Sequence, residues 1–594
     1  MSKASLELGG GNWAAKDGNL LGYAVGDTSG KYLPREFTFS RGADIGATRV
    51  NKDGLIEKYR ENLLLQSNQF DTTWSLNSAS LTSGQAGYDG SNDAWELKAT
   101  GDGVTHLARS SQGSLSVSGV STFSVYVKAG NTDFVRINLL TSGSPNCNNY
   151  FDVANGSVGS SPSGSVAHSS ITAAGNGFYR ISLTHDGSGG SINEVRIQVA
   201  EADGDDIPAT NSYIYIQDAQ LERGLVATDY LESDDETGKA GVLDNLPRID
   251  YTSGSAQLLI EPSRTNLLEH SEYFADVYFG KFNVDVDASD ILSPEGKSNS
   301  YKVTETTSNS QHAINVSNRP TLTAGSHTHS CFVKANGVND IVFYNNGTSG
   351  AAGVNFDLSS ESYSNLVNSA TGASIESYGD GWYRISMTFT AVVGTTGPTI
   401  YLRTLGSYAG DGVSGIYVYG MQTEAGSYAT SYIPTYGASD TRNNDYMSLL
   451  ATNFYSTTSY TYFLDINLPN DVGTTIPLWK DNDYLASNGG FQVRKTTNTG
   501  SFVGITTHDG SSYIGLSTDV LTGRLKFAII YDNGQVSVYY NGVQSGSAIS
   551  VTGWDQSTNH FKFGEGGVGL YEPNQFSYFP TALTPQEAIA LTTL

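Results

Sequence analysis

The sequence predicts an all-β chain of tandem two-sheet sandwiches, and three observations carry that expectation. Composition is the first: 67 of 594 residues are Gly and only 15% are charged, while Tyr (36) far exceeds Trp (6). Gly-rich turns separating runs of Thr, Tyr, Val and Ile are strand-and-turn chemistry. Alternation is the second. In Phe123-Ser124-Val125-Tyr126-Val127-Lys128, positions 123, 125 and 127 are apolar and 124 and 128 polar, the signature of a half-buried antiparallel strand. The third is a duplication. Leu55-Ile56-Glu57-Lys58-Tyr59-Arg60-Glu61-Asn62-Leu63-Leu64 is answered by Leu259-Ile260-Glu261-Pro262-Ser263-Arg264-Thr265-Asn266-Leu267-Leu268. Gly177-Phe178-Tyr179-Arg180-Ile181-Ser182 is likewise answered by Gly381-Trp382-Tyr383-Arg384-Ile385-Ser386. A period of about two hundred residues is too long for a solenoid unit and right for a duplicated domain.

Taken in order, residues 1–35 are Gly- and Asn-rich with a lone Trp13. They look too short and polar to bury a core alone, so they read as an attachment segment ordered by a partner or as a frayed leader. Residues 36–60 form half of a small β unit, 61–235 the first sandwich, 236–264 the other half of the unit, and 265–436 the second sandwich. Residues 437–594 form a different domain. Its Arg524–Tyr531 and Gln535–Tyr540 strands flank Asp532-Asn533-Gly534, where Asn-Gly supplies the positive φ angles of a tight hairpin. Thr584-Pro585-Gln586-Glu587 is a capping box with Pro at the first helical position, opening a short helix through Leu591.

The totals exclude several classes. A net charge of −26 opposes nucleic acid. No apolar run approaches the length of a membrane span. The N-terminus has no hydrophobic signal region, and Cys147 and Cys331 alone cannot staple the chain. Such a protein is expected to be made in a cytoplasm yet built for outside binding, which suits a virus particle.

Two passages carry a resemblance. Ala47-Thr48-Arg49-Val50-Asn51 leads through Asp53-Gly54 into Leu55-Ile56-Glu57, and Pro247-Arg248-Ile249-Asp250-Tyr251 precedes Leu258-Leu259-Ile260-Glu261-Pro262. Together they resemble a header found in β-rich fibre and receptor-binding proteins of tailed bacteriophages, where the two halves run almost directly together. Here roughly 185 residues separate them, so the first sandwich reads as an insertion. The sandwiches resemble the jelly rolls of carbohydrate-binding modules. The last domain, with its YxNG turn and closing helix, resembles the laminin-G and concanavalin A-like lectins. The resemblance implies a virion protein, a tail fibre binding host-surface glycans as a homotrimer and held to other virion proteins through its N-terminus. A capsid fibre and a polysaccharide depolymerase are the alternatives.

Candidate chemistry is sparse. His327, His329 and Cys331 share a strand face, but their counterparts Ser121, Phe123 and Val125 make that face packing. Carboxylates at Asp285 and Asp287, Asp203 to Asp206, and Asp234 to Glu236 offer oxygen to calcium without the spacing of a known loop, so no cofactor is expected, with a structural calcium as the alternative. No facing carboxylate pair, nucleophile elbow or phosphate loop is visible, and an enzyme is not expected. For sugar stacking, Phe178, Trp382, Trp74 and Tyr278 read as structural. Trp479, Tyr484, Tyr513, Trp554 and Tyr571, beside Asn, Asp or Gly turns of the last domain, are the candidate carbohydrate-binding residues.

Overall fold

A computed structural model describes residues 4, 6–10, 13, 15, 16, 19–25, 32–42, 45–101, 107–110, 115–162, 164–348, 351–368, 370–450, 458–468, 476–481, 492–495, 504–506, 513–515, 523–550, 560–564 and 572–594. Among these the regular structure is all strand apart from one helix, Pro585–Thr592. That helix starts as its capping box dictates: the Thr584 hydroxyl accepts from the Glu587 N–H while the Glu587 carboxylate accepts from the Thr584 N–H. The Asn533-Gly534 turn has φ of 46° and 83°, as the hairpin requires.

Each repeat is a two-sheet sandwich. In repeat one, a six-stranded sheet runs Val166–Gly175, Phe178–His185, Ser121–Ala129, Tyr213–Arg223, Ala94–Ala99, Ala79–Gln85. Repeat two has the same order in Ala370–Ser377, Trp382–Ala391, Gly325–Asn336, Gly415–Ala425, Ser300–Glu305, Val284–Ser289. Phe123, Val125 and Val127 are wholly buried, as their alternation predicts.

The duplication extends to individual hydrogen bonds. Asn62 donates to Ala219 O (3.0 Å) and Leu231 O (2.9 Å) while its amide oxygen accepts from Leu64 and Leu221 N–H. Asn266 does the same with Met421 O, Ile433 O, Leu268 and Thr423. Burying an amide without its partners is expensive, which explains an Asn at this corner in both copies. Each repeat is also closed at its base. Asn62 is the register partner of Gly238, and Asn266 that of Asp440, so each sandwich leaves the chain where it entered.

That closure lets the first sandwich sit inside the small β unit without separating its halves. The Arg248 guanidinium donates to Thr48 O (2.9 Å), Tyr251 N–H to Val50 O (3.0 Å), and Val50 N–H to Asp250 Oδ2 (2.7 Å). At the join lies a buried ion cluster. Asp445 meets Arg41 (3.2 Å) and Arg248, and Glu261 meets Arg248 (2.8 Å) and Arg442 (3.2 Å), with every side chain at most 1% exposed. The third positive charge is met by carbonyls: Arg41 donates to Leu243 O and Leu246 O, and Arg442 to Pro262 O.

The N-terminal strands differ from expectation. Leu6–Gly9 is paired between Asn19–Val25 and Glu572–Phe579, and Tyr32–Ser40 pairs with Tyr446–Leu450. The segment read as a separate attachment arm therefore completes the C-terminal sandwich. Leu6, Leu8, Phe37 and Phe39 join Met447, Phe561, Phe576 and Tyr578 in its core. Edge strands need covering, and these strands cover the terminal ones. Trp13 packs on the same core and donates to Ala256 O (3.1 Å).

Two outcomes follow for the ion cluster. Asp445→Ala strands Arg41 and Arg248 in a dry site, and a loss of about 3–5 kcal/mol is expected in chemical unfolding. Burial alone would raise the Glu261 carboxyl, but Arg442 and Arg248 hold it at about 2. A depressed folded pKa stabilises above the unfolded value and is lost as pH falls through the folded one. Acid titration followed by circular dichroism should therefore show stability falling between about pH 4.3 and 2, with Glu261→Gln flattening that dependence.

Candidate functional site

A groove with a volume of about 640 Å³ lies over the outer face of the repeat-one sheet. Strand alternation puts Val125, Val127 and Ile181 in the core and sends Tyr126 and Arg180 to this outer face. Tyr88, from the loop after Ala79–Gln85, lies flat on Tyr126, with ring centroids 3.7 Å apart and planes 4° apart. The Tyr88 loop is fixed at three points. Its N–H donates to Gln217 Oε1 (3.1 Å), its hydroxyl to Asp218 Oδ2 (3.0 Å), and Asn176 donates to Gly87 O (2.9 Å). Burial pushes the Asp218 carboxyl up to about 7 against the pull of the Tyr88 hydrogen bond, and Asp93 and Asp89 add to the rise. The Arg180 guanidinium sits 5.4 Å from the Tyr126 ring and donates to Ser124 Oγ (2.9 Å). Ser170 and Ser182, hydrogen-bonded to one another at 2.7 Å, and Thr172 supply hydroxyls along the floor.

Repeat two has the same face and no such opening. Phe332 stands where repeat one has Tyr126, and it is wholly buried. Arg384 lies 5.3 Å from it and donates to Ser330, matching Arg180. The difference lies in what covers the ring. Tyr378 packs edge-on to Phe332 at 4.9 Å, and Ile56 of the small β unit and Trp382 complete the plug. The pairings Ile171 with Ile181 and Ile375 with Ile385 align Tyr378 with Ala174. Where repeat two is filled by a ring, repeat one has a methyl group and a groove. A half-buried pair of stacked aromatic rings beside hydroxyl and guanidinium donors suits the C–H faces and hydroxyls of a sugar.

The sequence-derived candidates are placed as follows. Trp479 lies on Ile476–Asp481, register partner of Val493, and Tyr513 on Tyr513–Gly515 opposite Thr506. Tyr484, Trp554 and Tyr571 fall outside the described residues. Phe178, Trp382, Trp74 and Tyr278 are all at most 6% exposed, so they are packing, as read. His329 is buried with both ring nitrogens partnered, by Asn345 Oδ1 and Thr423 Oγ1 at 2.9 Å each. Burial lowers it to about 3, so the ring is neutral. The acidic stretches are engaged by protein donors: Asp206 by Arg136, Asp203 by Ser160, Asp234 by Gln69 and Asp235 by Gln66. Asp285 and Asp287 point outward from their strand.

Two features escaped the sequence reading. Tyr88, Tyr126 and Ala174 carry no motif, and only the Ala174–Tyr378 contrast between the aligned repeats could have pointed to them. The other is Lys58, whose ammonium is buried between Glu272 (2.6 Å) and Glu295 (2.5 Å), with Tyr419 donating to Glu295 (2.8 Å) and Tyr432 to Glu272 (2.9 Å). Burial would lower this amine, but the two glutamates hold it well above its usual value. This carboxylate pair is bridged by a buried lysine, so it ties the small β unit to repeat two.

If the plug is what closes repeat two, Tyr378→Ala should lower the stability of that sandwich by about 1–3 kcal/mol in urea unfolding. Ala174→Tyr adds a ring to an open groove and should change repeat-one stability by less than about 0.5 kcal/mol.

No protein-family profile matches the chain, and no curated protein does. Solved structures show faint likenesses. The N-terminal tandem CBM22 domain of Paenibacillus barcinonensis Xyn10C aligns at 11% identity, covering 65% of this chain and 99% of that one, with a TM-score of 0.18. An alginate lyase from Corynebacterium sp. aligns at 16% identity over 27% of this chain and 86% of its own, with a TM-score of 0.15. A Trypanosoma rangeli sialidase in complex with sialic acid aligns at 11% identity over 98% and 97%, with a TM-score of 0.19. At such scores no residue transfers. The chain is an all-β protein of tandem sandwiches, and its fold rests on its own strand pairing.

Proposed function

We propose that this chain is a non-enzymatic attachment protein of a tailed-phage particle, and that it holds host-surface glycan in the repeat-one groove. The observation that carries the glycan reading is the contrast between Ala174 and Tyr378, which leaves one of two equivalent sheet faces open over stacked Tyr88 and Tyr126. The phage reading rests on the split header, whose Arg248 and Glu261 form a buried ion pair. Assembly as a homotrimer, contact with other virion proteins, and attachment to tail rather than capsid belong to the same proposal. Locating the protein on the particle by electron microscopy tests them.

The pairing of Leu6–Gly9 with Glu572–Phe579 bears on where binding is sought. N-terminal strands and C-terminal sandwich are one body, so an arrangement with the N-terminus as anchor and the C-terminal domain as distant tip loses its geometric support. The repeats, looped out from the small unit, are the better-placed binding elements. Trp479, Tyr484, Tyr513, Trp554 and Tyr571 remain the candidates in the C-terminal sandwich.

An array of bacterial surface polysaccharides probed with the purified full chain tests the reading. The wild type is expected to bind at least one member, Ala174→Tyr to lose that binding, and the Ala variants of the five C-terminal aromatics to keep it. Retained binding by Ala174→Tyr with loss in a C-terminal variant would move the site to that sandwich.

A further inference from the structure

Only one wall of the groove belongs to repeat one. The facing wall is the 290–298 loop of repeat two, which brings Asp290, Leu292, Lys297 and Ser298 to the same space. The back of this loop is fixed from three directions. Ile56 N–H donates to Pro294 O (2.8 Å), Trp382 Nε1–H donates to Leu292 O (2.9 Å), and Glu295 meets the Lys58 ammonium. With its backbone held, the loop leaves Leu292 56% exposed, a large apolar side chain lining the groove that also holds the two stacked tyrosines. The contacts that seal repeat two's own face therefore also position the loop against repeat one.

The charge of the groove indicates what it takes. Arg180 and Lys297 are offset by Asp290 within it and by Asp229, 3.5 Å from Lys297. The groove is close to neutral in a chain of net charge −26. A polyanionic glycan would approach a strongly negative molecule at a groove whose two cations are already offset. Hydroxyls of Ser170, Thr172, Ser182 and Ser298 are what the floor and wall offer, beside aromatic and aliphatic surface. The volume lies within the span of about 300–1,000 Å³ usual for small-molecule sites, room for a short oligosaccharide segment.

We infer that the groove is a two-repeat site for an uncharged, hydroxyl-rich glycan segment, with the 290–298 loop as its selecting wall. The inference rests on the glycan reading above. Repeat two has given up its own face and serves the site of its neighbour: a sugar ring lies against Tyr88 and Tyr126, Leu292 closes the other side, and Lys297 and Ser298 bond its hydroxyls.

The test uses the full chain and the same polysaccharide array, with Leu292→Asn and Lys297→Ser added to Ala174→Tyr. Both new variants change exposed or half-exposed side chains, and circular dichroism checks that they fold. Binding is expected on uncharged polysaccharides, with little change between about 50 and 500 mM salt. Each loop variant is expected to weaken it about fivefold or more, and Ala174→Tyr to abolish it. Wild-type affinity in both loop variants, with loss in Ala174→Tyr, overturns the two-repeat site and leaves the glycan reading standing. Binding confined to uronate-bearing or phosphate-bearing members, or lost with salt, overturns the ligand class. No binding by the wild type, or full binding by Ala174→Tyr, overturns this inference and the glycan reading together.

Discussion

The rest of the architecture depends on five charged side chains that never meet water: Arg41, Arg248 and Arg442 around Asp445 and Glu261. Arg41 follows the N-terminal strands, Arg248 and Glu261 belong to the second half of the small unit, and Arg442 and Asp445 open the C-terminal domain, so the cluster joins these three stretches of chain. Removing charges from water is costly, and their mutual attraction repays it only with good geometry and further hydrogen bonds. Here Ser431 donates twice to Glu261, the Glu261 N–H donates to the Asp445 carboxylate, and the Asp445 N–H donates to Glu261 O. Arginine suits the role because its planar fork reaches a carboxylate and a carbonyl at once. With the junction so fixed, an insertion of a whole sandwich is harmless if its two ends meet, and the Asn62–Gly238 pairing brings them together.

Duplication followed by divergence accounts for the remaining asymmetry. What the repeats share is buried and hydrogen-bonded. In each, a carboxylate accepts from a Gln two residues earlier and a Thr six residues later: Glu222 from Gln220 and Thr228, Glu424 from Gln422 and Thr430. Such groups cannot change singly without leaving a partner unsatisfied. What differs is on the outer sheet face and at the contact with the small unit. Phe332 replaces Tyr126, Tyr378 replaces Ala174, and Lys58 recruits Glu272 and Glu295 to clamp repeat two against the small unit. In repeat two these changes exclude solvent from the face that repeat one keeps open.

Local features were legible in the sequence because their causes are local. The Asn533-Gly534 hairpin, the Thr584 capping box and the Phe123–Val127 alternation each follow from a few adjacent residues, and the duplication follows from comparing the chain with itself. The buried His329 was legible through its counterpart Phe123. Long-range pairing was not. Nothing near Leu6 states that its partner is Tyr578, since strand pairing across such a separation is decided by which edges remain to be covered. The groove was hidden for a related reason. Ala174 is unremarkable as a residue, and its meaning lies in the ring that its counterpart carries and in a loop from the next domain. Reading the C-terminal aromatics as the first candidates followed adjacency to turns, which is a property of sequence rather than of shape.

The central claim is that ligand is held between the two repeats. Amide hydrogen exchange, with and without a polysaccharide that the chain binds, addresses it most directly, because it reports protection segment by segment without changing a residue. The account requires added protection in 86–93, 166–182 and 290–298 together, with 440–594 unchanged. Protection confined to 440–594, with those three segments exchanging as in the free protein, would contradict it.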